Sequence, residues 1–260
     1  MMIAGEHVTI RETAREAPMS RMLLSCLCVS ILSASPAGAD GPIRWHSENV
    51  QILKGLNYEL GPEERTIITV EHAHTSDIGD LFLFTDFTFE PDGDIQAYGE
   101  ITPRLSLSRL TGRDWRAGVF SDVLLAANYE RGEGGVERYL AGAAIDLDIE
   151  GFRFVRVHAF LRDDPSRSGT TGQLSIAWNR PFEIGGEAFL AEGFADLAGA
   201  EGNGVANQLL VPRLLWDIGA HHGAAGRVYL GLEWQYWHNK FGVDGVTESV
   251  PQIQLKWVLH

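Results

Sequence analysis

Near the C-terminus of the chain, Ile253, Leu255, Trp257 and Leu259 fall on one side of an extended backbone, and Gln252, Gln254, Lys256, Val258 and His260 fall on the other. The segment before it repeats the pattern, with Val228, Leu230, Leu232, Trp234 and Tyr236 alternating against Tyr229, Gly231, Glu233, Gln235 and Trp237. A period of two is the signature of a strand, because successive side chains point to opposite faces of a sheet. Strands of this kind build a sheet with one apolar and one polar face. A soluble sandwich folds the apolar face into a core, whereas a membrane barrel turns it to lipid and keeps the polar face around a lumen.

From Asn49 onward the alternation predicts twelve strands, at 49–58, 65–74, 80–90, 96–110, 116–130, 136–149, 152–162, 170–180, 186–197, 206–218, 226–238 and 249–260. Most exceed the ~5–6 residues usual in soluble sheets and match the ~9–11 that a tilted membrane strand needs. An even count is what a single-chain bacterial barrel requires. The expected fold is therefore all-β, a 12-stranded antiparallel transmembrane β-barrel over residues 49–260. Glu150-Gly151 and Thr75-Ser-Asp77 read as tight hairpin turns on the side of the termini, taken to be periplasmic. The connections 163–169, 199–204 and 239–245 are richer in Gly, Asp, Asn and Ser, as outer loops would be. The 111–115 and 219–225 connections break the rule of short inner turns. No loop is long enough for a substantial plug, which predicts a fairly open pore.

The N-terminal region changes the picture in one respect. Residues 22–32 form an apolar run behind Arg21 and ahead of Ala37-Gly-Ala39, the form of a secretory signal with its cleavage site. Residues 1–39 are thus expected to be a cleaved signal peptide with an N-terminal extension, and 40–48 a short periplasmic segment. Cys26 and Cys28, the two cysteines of the chain, both fall in that signal. The mature chain would hold no disulfide, and closed backbone pairing in lipid would hold it together instead. The formal net charge of −14 argues against a nucleic-acid partner, whose phosphates need Lys and Arg. Trp115, Tyr129, Trp178, Trp216, Trp234, Tyr236 and Trp257 sit near strand ends or on outward faces, as an interfacial aromatic belt would.

The stretch Glu100-Ile-Thr-Pro-Arg-Leu-Ser-Leu-Ser-Arg-Leu-Thr-Gly-Arg-Asp114 resembles the fourth-strand signature of the nucleoside-specific channel-forming outer-membrane proteins, the Tsx-like family. Similar stretches follow the same order along residues 45–260. They are Asn49-Val50 and Gly61-Pro62, Val70-Glu71, Asp80-Leu-Phe-Leu-Phe-Thr-Asp86, Ala127-Asn-Tyr129, Tyr139-Leu-Ala-Gly, Ile145-Asp146, Glu192-Gly-Phe-Ala-Asp196 and Tyr236-Trp-His238. The chain departs from that family in ending on His260 instead of an aromatic residue, and in replacing several lumen aromatics by aliphatic or small residues. The resemblance implies a monomeric twelve-stranded barrel in the bacterial outer membrane, passing nucleosides or similar small hydrophilic solutes by passive diffusion, with no enzyme activity and no cofactor.

A nucleoside pathway needs aromatic faces for the base and hydrogen-bonding groups for the sugar along a wet lumen. Alternation sends Asp80, Phe82, Phe84 and Asp86 inward from the third strand and Leu81, Leu83, Phe87 and Phe89 outward. The expected substrate-binding residues are Glu71, Phe82, Phe84, Asp86, Glu100, Arg104, Asn128, Arg156, Glu192, Phe194, Arg213 and Glu233. Asp146, His158, Arg162 and Asp196 are further inward positions. An Arg on the lipid face would cost roughly 2–4 kcal/mol at mid-depth, which favours Arg104, Arg156 and Arg213 inside.

His72 and His74 have a spacing able to share a metal, yet no third ligand is visible in sequence, so they read as an exposed pair, as does His221-His222. No positioned nucleophile and base, and no phosphate-binding glycine loop, is present. Two other readings compete: a nonconducting outer-membrane barrel acting in adhesion or as a surface receptor, and a soluble periplasmic barrel binding an apolar ligand.

Overall fold

The computed structural model describes residues 42–260, so the expected signal peptide lies outside the described residues. Twelve strands run β1 (Ile43–Leu56), β2 (Glu64–Ser76), β3 (Gly79–Phe89), β4 (Ile95–Ser106), β5 (Phe120–Gly132), β6 (Glu137–Leu147), β7 (Phe154–Asp163), β8 (Thr171–Ile184), β9 (Glu187–Ala198), β10 (Asn207–Trp216), β11 (Val228–His238) and β12 (Thr247–Val258). Each pairs antiparallel with its sequence neighbour. β1 closes on β12 from Asn49↔Val258 to Gly55↔Gln252, so the sheet is a barrel with no free edge.

The sidedness follows the alternation. Leu125, Leu161, Leu214, Leu232, Ile253 and Trp257 stand 52–62% exposed on the outside, while Gln51, Glu248, Gln252 and Gln254 are fully buried on the inside. An exterior this apolar over a polar interior belongs in lipid and not in water, which sets the soluble reading aside. Aromatic belts mark both ends of the outer surface. Near the ends of β5 and β6, Tyr129 and Tyr139 pack with ring centroids 5.2 Å apart and both donate to Glu137. At the opposite end, Phe182 stacks on Phe189, and Trp216 donates to Glu187.

Most boundaries shift by a few residues from the sequence expectation, and three of the shifts have a clear physical reason. β1 begins at Ile43, so most of the expected 40–48 periplasmic segment is strand, paired with the end of β2 through His46↔His74 and Glu48↔His72. Residues 44–48 carry no apolar alternation, which is why sequence pattern alone stopped short of them. β4 ends at Ser106, where the serine hydroxyl accepts from the Arg109 amide and starts a short helix, α1 (Leu107–Thr111), closed by left-handed Gly112. β8 continues to Ile184 through Pro181, a residue that ordinarily ends a strand. The turn between β6 and β7 is centred on Glu150-Gly151, with the Phe152 amide donating to the Ile149 carbonyl and Gly151 at φ +85°.

Candidate functional site: a charged lumen

All twelve expected site residues lie on the inner face. The clearest construction is at the end that holds the termini. Arg104 on β4 donates to both oxygens of Asp80 on β3 (2.7 and 2.6 Å) and to both oxygens of Asp146 on β6 (2.6 and 3.1 Å). Arg156 on β7 reaches Asp80 at 4.0 Å, which ties walls four strands apart. His158 stacks on Phe160 beside this cluster. The adjoining inner wall is apolar, formed by Leu124, Ala126, Leu140, Ala144 and Phe160.

A second lattice crosses the middle of the barrel. Arg213 on β10 pairs with Glu233 on β11 and reaches Glu71 on β2 at 3.6 Å and Glu192 on β9 at 4.0 Å. Lys256 on β12 meets the same Glu192 at 2.6 Å, and Asn179 donates to its other oxygen. Phe194 lies with its ring 6.0 Å from the Arg213 guanidinium. Asn49 donates to Glu71, Gln51 to Asn49, and Gln254 to Gln51, so this wall is knit without a gap.

Along the same inner face runs the aromatic strip foreseen on β3, from beside Asp80 to the level of Glu71, which is paired with Phe84. Phe82 and Phe84 are half-buried with ring centroids 6.0 Å apart, and Phe84 lies 6.0 Å from Tyr98 of β4. Polar groups border the strip. Tyr98 donates to Glu100 (2.6 Å), Asn128 donates to Glu100 (2.8 Å), and Thr69 donates to Asp86 (2.6 Å). Aromatic faces beside hydrogen-bonding carboxylates and amides can hold a flat polar ring. Tyr98, Glu130 and Arg138 belong to this surface and were not among the expected residues. The inward alternation of Tyr98, Glu100, Thr102 and Arg104 along β4 was the signal for the first of them.

The expectation of a fairly open pore is corrected. Along β12 and β1, Val250, Gln252, Gln254 and Gln51 have no accessible surface, and the cavity lined by Tyr98, Glu100, Arg162 and Asp196 holds only about 50 Å³. The physical reason is that short loops fold inward and long side chains meet across a small barrel. Tyr58, from the β1–β2 loop, donates to Gln252 at 2.6 Å, and Lys240, from the β11–β12 loop, reaches Glu248 at 2.6 Å. Burial pushes the Lys240 ammonium below its usual range against the pull of Glu248. Arg162 binds Glu201 of the β9–β10 loop at 2.9 Å, Arg167 donates to the Phe241 carbonyl, and the Val205 amide donates to the Gly242 carbonyl. Three loops thus clasp one another over this mouth. At the termini end, a polar recess of about 420 Å³ opens beneath α1, lined by Ser106, Arg109, Asp122 and their neighbours.

No family model matches the chain, and no curated protein matches it in sequence. Among solved structures, the KdgM porin aligns over 82% of this chain and 99% of its own at 8% identity, with a TM-score of 0.48. A second structure, of that porin in complex with disordered oligogalacturonate, gives the same coverage and identity with a TM-score of 0.47. The outer membrane protein Omp33 of Acinetobacter baumannii aligns over 84% of this chain and 99% of its own at 11% identity, with a TM-score of 0.36. What those proteins carry does not transfer to this chain at such distances.

Proposed function

We propose that this chain is a bacterial outer-membrane channel, a non-enzymatic passive route for small hydrophilic solutes, nucleosides among them. The observation that carries the reading is the inward strip Phe82–Phe84–Tyr98 bordered by Asp86, Glu100 and Asn128. It offers a stacking face to a base and acceptors and donors to a sugar within one narrow passage. Closed barrels with an apolar belt and a polar interior are the form that spans bacterial outer membranes. The Arg104 and Arg213 lattices set paired charges beside the strip and a transverse field across the lumen.

Conductance of the detergent-extracted chain in planar bilayers, with and without adenosine, tests the reading. Ion conductance that adenosine reduces supports it. Conductance indifferent to adenosine keeps the channel and removes the nucleoside. A second reading draws on the packed β12–β1 wall and the clasped loops: a nonconducting barrel whose loops serve as a surface receptor. It predicts no current above background.

A further inference from the structure

Lys240, in the β11–β12 loop, has its side chain only 3% exposed at the mouth opposite the termini. Its ammonium lies 5.2 Å from the ring centre of Trp237, 5.4 Å from that of Phe241 and 5.9 Å from that of Tyr58, and it donates to Glu248 Oε1 at 2.6 Å. Aromatic rings within about 6 Å of a cation attract it through their negative faces, and several such rings around one point are the way proteins recognise ammonium groups. A carboxylate at the same point adds a full opposite charge. The occupant here is the chain's own side chain.

The parts of this cage come from the wall and from loops. Alternation turns Glu233, Gln235 and Trp237 inward from β11, and Glu248, Val250 and Gln252 inward from β12. Tyr58 reaches in from the β1–β2 loop and is pinned by its bond to Gln252. Phe241, 38% exposed, forms the rim. The lysine is delivered by a bent segment: Asn239 and Phe241, on either side of it, are both left-handed, at φ +48° and +57°. An asparagine tolerates that conformation, whereas a bulky phenylalanine avoids it and keeps it only where neighbours hold it. Arg167 and the Val205 amide do so here, donating to the Phe241 and Gly242 carbonyls.

Glu248 has no accessible surface, and its other donors are neutral, the Gln235 amide group to Oε1 and the Glu59 backbone amide to Oε2. A buried carboxylate stripped of its cation is costly, so the lysine leaves readily only when another cation takes its place. Arg65, which covers the Tyr58 ring at 4.4 Å, is committed to the Leu60 and Pro62 carbonyls. A hydrated inorganic ion meets the carboxylate but gains little from the rings; an organic ammonium meets both. The flexible four-carbon stem of a lysine lets its ammonium swing to solvent while the wall stays in place. We propose that Tyr58, Trp237, Phe241 and Glu248 form a binding site for solutes bearing an organic ammonium group, with Lys240 as its resident, exchangeable occupant.

The test uses the full chain in a maltoside detergent, which carries no ammonium of its own, with choline as the probe. The chain has three lysines, Lys54, Lys240 and Lys256. The Lys54 side chain is 45% exposed and that of Lys256 9%, so they serve as open and buried references when amine acylation is followed residue by residue in a mass spectrometer. A tethered group competes at an effective concentration in the millimolar range, so choline well above that range should speed Lys240 acylation about threefold or more. Lys54 and Lys256 should keep their rates. Sodium chloride at equal ionic strength, and the neutral alcohol in which carbon replaces the choline nitrogen, should leave all three rates unchanged. Calorimetry is an independent arm: Lys240→Ala should bind choline about tenfold more tightly than the natural chain, because the tethered competitor is gone. Adding Trp237→Ala should abolish that gain, with heat-modifiable gel mobility checking that each variant is a closed barrel. The labelling arm needs no variant and stands if one of them does not fold. Lys240 acylation indifferent to choline, equal acceleration by salt or by the neutral alcohol, or a folded Lys240→Ala chain that binds choline no better than the natural one would overturn the proposal. Neither readout measures current, so the outcome is separate from whether the lumen conducts.

Discussion

Arg104 is the side chain on which most of the termini-end lattice depends. It is 2% exposed and, among the described residues, is the one cation in bidentate contact with Asp80 and Asp146. Removing one partner of a buried charged group leaves the others desolvated and unpaired, which typically costs about 3–5 kcal/mol. Arg104→Ala should lower the urea midpoint of the folded barrel accordingly, read by heat-modifiable mobility, and Arg104→Lys should recover only part of it because the two-sided fork is lost. Asp164, in the β7–β8 loop, gives a pH prediction. Burial would raise its pKa, but the Ser166 hydroxyl and amide, with Arg138 and Arg167, outweigh burial and hold it below the usual 3.8. A depressed native value means its contribution is complete above the ordinary carboxylate value and is lost as pH falls through the depressed one. Stability of the loop clasp, followed by protease protection, should fall in that acid range in the natural chain, with a shallower slope in Asp164→Asn. At this scale the inner positions were legible, because strict alternation places Glu71, Arg104, Glu192 and Arg213 once the apolar face is known. The pairs they make were not, since Arg213 meets Glu71 across four strands that no local pattern connects.

Among the elements, β9 shows how a glycine can be demanded by an aromatic neighbour. Gly193 faces outward at φ +157°, and a β-carbon there would stand 2.7 Å from the Trp178 ring and closer still to the Val211 carbonyl. The tryptophan lies over the bare backbone of its paired residue, an arrangement that pins register between neighbouring strands. Gly193→Ala is expected to destabilise the barrel by about 1–3 kcal/mol through overpacking, measured by the same urea series, and Gly193→Val by more. Strand number and sequence order could be read from polarity alone. The short helix α1 could not, because Ser106 both continues the inward alternation of β4 and caps a helix, and only the loop geometry chooses between the two roles. The start of β1 was missed for the reverse reason: Arg44, His46 and Glu48 are polar on a face where apolar residues were sought, and they are held by the chemistry of β2.

Across the whole molecule, the lumen is electrostatically one-sided. Glu71, Asp86, Glu100, Glu130, Asp196 and Glu233 line it together with the acids of the termini end, and the inward arginines and Lys256 are fewer. Fixed carboxylates along a narrow passage favour cations and reject anions. Any current the channel carries should therefore be several-fold selective for K⁺ over Cl⁻, with a reversal potential in a salt gradient displaced toward that of potassium. Glu100→Gln with Glu130→Gln should reduce the displacement.

The seam between β1 and β12 has a further consequence. The Leu259 amide donates to the Glu48 carbonyl, and the Ser47 hydroxyl donates to the carbonyl of His260, so the first strand and the last residue of the molecule lie side by side. The two ends are therefore neighbours already, and a handful of linking residues could join them. A circularly permuted gene that joins His260 to Pro42 and opens the exposed hairpin at Asp92-Gly93 would encode the same cylinder with a new beginning.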